Sequence, residues 1–251
     1  MLVLVLVATI ATAAALRRRY RAACHLLAGV APDMRNPLLP LLASDVTERS
    51  LPFNRAVLRI PTPVGRGMTS RCCVVPGVGV PVRVIAAAGC TGQRPGVLWL
   101  HGGGMVCGSA GFEAASAAAT ARALNTIVVA PDYRLAPENP FPAPLDDCMA
   151  TLAWMRKAEF GIDAERIAVV GSSAGGGLAA AVAQRAHDEK LPLSAQVLGC
   201  PMIDDRTALR DPGIRGRLVW TAGSNEFGWT AYLGRKPRMS DAPEYAAPAR
   251  R

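Results

Sequence analysis

Several things this sequence lacks narrow its class before any motif is read. Aromatic residues are only 5% of its 251 positions, so Ala and Val carry most of the apolar content. Its seven cysteines include no CxxC pair and no grouping with histidine at metal-ligand spacing, which argues against a zinc ribbon or finger. Reduced, buried thiols are the expectation instead. The net charge is +9. Beyond residue 35, however, the basic excess is scattered and does not form one face interleaved with aromatics, so a nucleic-acid partner is not expected. The longest apolar run, "MLVLVLVATIATAAAL" at residues 1–16, falls short of the roughly 20 residues that span a bilayer. It precedes "RRRYR", the reverse of a secretory signal. Three readings of that start stay open: a short membrane anchor, a packed N-terminal helix, or an upstream start misassigned. The expected location is cytoplasmic, with weak membrane association through this segment and a homodimer as open alternatives.

What is present suits one large α/β domain. The chain is 51% hydrophobic and 19% charged, enough apolar material for a sizeable core. Residues 1–53 read as the apolar segment followed by short helices broken by Pro32, Pro37 and Pro40, contributing a cap together with segments after Pro201. Residues 54–251 read as the core. "NRAVLRIP", "RCCVVPG" and "VPVRVIAA" are short runs bounded by Gly and Pro and predict antiparallel strands. From residue 96 apolar strands alternate with helical stretches: "GVLWLH", "FEAASAAATARAL", "NTIVVAPD", "LDDCMATLAWMRKA", "ERIAVVG", "AGGGLAAAVAQRAHDEK" and "LSAQVLGCP". That alternation predicts βαβ crossovers and a mostly parallel central sheet with helices on both faces.

Two glycine-rich stretches sit where strands of that sheet end. "VVGSSAGGG" (169–177) follows one strand and opens a helix, the context in which a GxSxG serine stands exposed on a strained turn. By itself the motif is a weak signal in a chain with 24 glycines, and a close-packed strand-to-helix turn is the alternative. "HGGGMVCGS" (101–109) directly follows "GVLWL", and consecutive glycines there leave backbone N–H groups open to a substrate carbonyl. No Lys-Ser or Lys-Thr follows these glycines, which excludes a phosphate-binding P-loop. The pair assigns Ser173 as nucleophile, and the N–H groups of Gly103, Gly104 and Ala174 as donors to a developing oxyanion.

The segments "HGGG" (101–104), "PDYRLAPENPFPAPLDD" (131–147), "GSSAGG" (171–176) and "YAAPAR" (245–250) together resemble the hormone-sensitive-lipase-like esterases of the α/β-hydrolase superfamily. The resemblance covers roughly residues 54 to 251. It implies hydrolysis of small-molecule carboxylic esters through an acyl-enzyme on Ser173, without a cofactor. It also implies a structural brace made by Asp132, Tyr133, Arg134 and Glu138. One departure is Ser172, where the family usually has Asp.

A serine needs a base to take its proton. The one histidine after Ser173, His187, lies 14 residues on in the same predicted helix, about 20 Å away at 1.5 Å per residue. His101 belongs to the glycine motif and His25 to the N-terminal lead. In the resembling family the catalytic Asp and His follow "YAAPAR". The expectation is therefore a core missing its last two strands, with the edge of "LSAQVLGC" exposed. The alternative function is a catalytically incomplete fragment or a non-catalytic ligand-binding relative.

Overall fold

A computed structural model describes residues 13–18, 20–42, 45–157, 159–213 and 216–251. The N-terminal run 1–12, on which the membrane-anchor reading rests, lies outside them. Among the described residues no helix is long and apolar enough to cross a membrane.

Six strands form one sheet: β1 (Met68–Val74), β2 (Pro81–Ala87), β3 (Arg94–Leu100), β4 (Ile127–Pro131), β5 (Ile162–Ser172) and β6 (Ala195–Gly199). They are ordered β1-β2-β4-β3-β5-β6. β1 and β2 pair antiparallel, β2 joins β4 antiparallel, and β4, β3, β5 and β6 run parallel. The unbroken apolar stretches are the central strands. All five residues of β4 are buried, as a strand covered on both faces requires.

Helices α2 (Ala114–Leu124), α3 (Ala143–Met155) and α4 (Ala174–Asp188) cover the two faces. The buried stripe of α2 is Ala114, Ala117, Ala118 and Ala121, the i, i+3, i+4, i+7 spacing of one helix face, and it packs on Ile85, Val97 and Val128. Because every side chain on that stripe is a methyl group, the helix can lie close to the sheet. Leu98, Leu100, Val129, Ile167 and Val169 form the main core with α3, α4 and the Trp229–Tyr232 part of α5 (Ala222–Leu233).

The predicted strand at "NRAVLRIP" is instead the end of a helix, α1 (Leu51–Val57). Pro52 stands in its first turn, where a missing N–H does no harm. Leu51 and Leu58, seven residues apart on one helical face, pack toward Val46, Val106, Ala136 and Ala231. The cysteine expectation is also corrected. None of the seven forms a disulfide, but only Cys107 and Cys148 are buried, while Cys72 and Cys200 are exposed. Cys72 lies on β1, a strand at the sheet edge on which residues 69–72 are all exposed.

β6 closes the other end of the sheet. It pairs with β5 alone among the described residues, and Val197 on it is 56% exposed. The exposed edge anticipated for "LSAQVLGC" is present.

Candidate active site

β5 ends at Ser172 and α4 begins at Ala174, so Ser173 alone makes the turn. Its φ of 55° with ψ of −120° is a conformation L-residues rarely adopt; such strain costs about 1–3 kcal/mol and persists only where the surroundings over-determine it. Here they do. The Ser173 N–H donates to the Gly199 carbonyl at 2.8 Å, and the Ser173 carbonyl accepts from Gly177 at 3.0 Å and Met202 at 2.9 Å. The flanking glycines allow backbone to touch backbone. A Cβ on Gly175 would fall 1.9 Å from the Leu100 carbonyl oxygen, and one on Gly171 would fall 2.1 Å from that of Gly175.

The "HGGG" loop leaves the end of β3 next to this turn. A Cβ on Gly102 would lie 3.2 Å from the Ser172 carbonyl oxygen and 3.6 Å from Ser173 Cβ. Gly103 (φ 124°) and Gly104 (φ 63°) occupy glycine-favouring conformations. The Gly103 carbonyl accepts from Val106 and Cys107 N–H at 3.1 and 3.0 Å, and from the Cys107 thiol at 3.1 Å. Burial pushes that thiol up to about 11, so it stays protonated and can donate. The N–H groups of Gly103, Gly104 and Ala174 donate to no acceptor among the described residues. Unspent amides next to a strained serine suit a site where negative charge develops on oxygen.

Two side chains that carry the loop had no role in the sequence reading. Glu113, at the start of α2, accepts from Gly102 N–H at 2.8 Å and from Trp99 Nε1 at 2.7 Å, one bond to each carboxylate oxygen. Its only sequence signal is a carboxylate at a helix start eleven residues after Gly102. Trp220 lies against Gly104, where a Cβ would fall 1.9 Å from Cη2 of the indole. No spacing rule connects residues 104 and 220. Replacing Glu113 by Ala is expected to lower stability by about 1–3 kcal/mol, the usual effect of stranding partly buried donors, and an unchanged urea midpoint would refute the bracing role.

His101 is buried, its ring stacked on Tyr133 with centroids 4.1 Å apart. Its Nδ1 is 2.8 Å from the Gly102 carbonyl, which can only accept, so Nδ1 carries a proton. Tyr133 Oη donates to the His101 carbonyl at 2.7 Å. Burial lowers the His101 pKa from its ordinary 6.5, against the opposing pull of the Gly102 bond and the Asp132 and Glu113 charges. The unfolded chain therefore takes up a proton near pH 6.5 that the native ring refuses, and stability falls as pH drops below 6.5. Unfolding free energies from urea titrations should decline as the pH is lowered from 7 to 5. His101→Asn should flatten that decline, and an unchanged slope in the variant would contradict the assignment.

The other brace residues and the acids after β6 have partners of their own. Asp132 accepts from Ala110 N–H at 2.7 Å. Arg134 pairs with Asp147 at 2.8 Å. Glu138 is bound by both ends of the Arg55 guanidinium, which holds its carboxyl at about 2. Asp204 pairs with Arg206 and buried Asp205 with Arg250, so neither stands open as an acid beside Ser173. His187 is exposed and lines a separate cleft with Asp188 and Gln196, and His25 lies in a short helical segment far along the N-terminal lead. Ser172, in the place of the family's usual Asp, is exposed with its hydroxyl 3.8 Å from Cys200 Sγ. Among the described residues no three His, Cys, Asp or Glu side chains group as metal ligands.

A parallel sheet that presents a strained serine at a strand-to-helix turn, next to a glycine loop from the neighbouring strand, defines the α/β-hydrolase class. The chain belongs to this family: residues 97–251 match the model of the alpha/beta hydrolase fold. Among curated proteins it is 44% identical over 125 residues to Carboxylesterase NlhH of Mycobacterium tuberculosis, covering 49% of this chain and 39% of that protein. It is 41% identical over 109 residues to an arylesterase of Saccharolobus solfataricus, covering 43% of this chain and 36% of that protein. The chain thus spans about two fifths of the length of the curated relatives it matches. Among solved structures it resembles a bacterial heroin esterase with a TM-score of 0.75 and 32% identity, over 92% of this chain and 76% of that one.

Proposed function

We propose that the protein is a carboxylic ester hydrolase working through a serine acyl-enzyme. The observation that carries this reading is the strained Ser173 turn touched by the Gly102–Gly104 loop, with three amides left without acceptors. Ser173 Oγ would attack the ester carbonyl carbon and pass its proton to a base. The tetrahedral oxyanion would take hydrogen bonds from Gly103, Gly104 and Ala174. The alcohol would then leave, and water would hydrolyse the acyl-serine. The names of the similar proteins, carboxylesterase and arylesterase, support a small-molecule ester as substrate.

Residues 1–53 and those after Pro201 form the cap in this reading. Its support is that Val46 and Leu51 join Val106, Cys107 and Ala231 in one apolar cluster beside the glycine loop. The scattered basic charge supports the absence of a nucleic-acid partner, and the reading places the protein in the cytoplasm.

A second reading, a ligand-binding protein of the same fold without turnover, is favoured by one observation. None of the three histidine side chains is hydrogen-bonded to Ser173. Hydrolysis of a short-chain aryl ester by the protein and by Ser173→Ala separates the two. A rate above background that the substitution removes supports the esterase; equal background rates support the binding protein.

A further inference from the structure

Between α1, β2 and the segment after β4 lies a cleft of about 520 Å³ that does not include Ser173. Four arginines line it, Arg55, Arg59, Arg83 and Arg134, with two carboxylates, Asp132 and Glu138. The charges are unevenly satisfied. Arg55 and Glu138 neutralise each other, and Arg134 turns to Asp147. Arg59 makes no hydrogen bond or ion pair with any described residue. Arg83 donates only from Nη1, to Ser70 Oγ at 3.2 Å, and its buried Nε has no acceptor. Gly111 makes room for this side chain, since a Cβ there would sit 3.2 Å from Nη2. The four arginines are balanced by three carboxylates, Asp132 and Glu138 in the cleft and Asp147 on Arg134, which leaves one positive charge uncompensated.

We propose that this cleft binds the carboxylate of a small organic acid on the guanidinium groups of Arg83 and Arg59. A guanidinium fork matches a carboxylate in plane and spacing. A single excess positive charge suits a monoanion. The volume falls in the range of small-molecule sites and exceeds what an inorganic ion fills, and Tyr133 and Leu135 offer an apolar wall for the body of the molecule. The inner wall is Gly108 and His101, which also back the Gly102 carbonyl: a Cβ on Gly108 would fall 2.1 Å from that oxygen. The site does not depend on Ser173 acting on esters.

Calorimetric titration with benzoate, at constant ionic strength set by chloride, tests it. One saturable site is expected, weakened at least about tenfold by Arg83→Gln and by Arg59→Gln, the loss expected when a charge-assisted bond is removed. Arg166→Gln, at a surface pair with Asp163 on β5, should leave it unchanged. Arg59 is exposed, so its variant carries the test if Arg83→Gln does not fold. The proposal is overturned by absence of saturation, by equal affinities across the variants, or by tighter binding of inorganic phosphate than of benzoate.

Discussion

Treated with a short-chain aryl phosphonate, the protein is expected to take up one phosphonyl group, on Ser173, and Ser173→Ala to take up none. The reagent is a strong electrophile whose phosphoryl oxygen becomes charged as the serine adds, so it reports on the turn and the amides, although the serine must still lose its proton to a base. The turn presents the hydroxyl, and the amides of Gly103, Gly104 and Ala174 have no competing acceptor. In serine hydrolases, loss of the base lowers turnover on the order of 10⁶-fold, and the residual oxyanion and binding effects still leave about 10³–10⁴ over water. With no histidine side chain hydrogen-bonded to Ser173, labelling should be slow. Added imidazole should then speed it on the order of tenfold or more by accepting the proton. Mass analysis of the labelled peptide decides the matter. A folded sample carrying no adduct, or one carrying it only on Ser172, would remove the nucleophile assignment.

The second large effect concerns the frame that holds the serine. Gly175→Val is expected to prevent folding, and Gly175→Ala to destabilise by at least about 3 kcal/mol, in the upper range for overpacking. In a chain of this size that is a fall in Tm of roughly 6–12 °C. A side chain at Gly175 would meet the carbonyl oxygens of Leu100 and His101 at 1.9 and 2.6 Å. Leu100 is the last residue of β3, paired with Gly171 in the β3–β5 ladder, and His101 follows it directly, so neither can move without disturbing that ladder. Gly29→Ala is the control: a Cβ there meets nothing within 4 Å, so the change should stay within about 0.5 kcal/mol. Comparable Tm values for the two alanine variants would show that α4 does not pack on β3 as described.

The order of elements was legible because each central strand is a continuous apolar run separated from the next by a helix-length stretch. β4, buried at all five positions, could hardly have been anything else. "GSSAGG" and "HGGG" were legible for a related reason. Glycine is retained where backbones touch, and Gly171, Gly175 and Gly103 each exclude a Cβ by contact with a backbone atom at 2.1 Å or less. The stretch 54–61 misled because its Val, Leu and Ile suit a strand, while the packing of Leu51 and Leu58 that makes it begin as the last turn of a helix is visible only once Val106 and Ala231 are in place.

The amino-acid sequence by itself determined a mostly parallel sheet, a serine at a strand-to-helix turn and a glycine loop at a neighbouring strand end. Those features follow from local periodicity and from the steric limits of single residues. Only the tertiary structure decided that Glu113 ties down Gly102, that Trp220 covers Gly104, and that Arg59 and Arg83 share one cleft. Each of these joins residues from separate elements, and a contact of that kind has no period or spacing along the chain. It arises when strands and helices close around a common core.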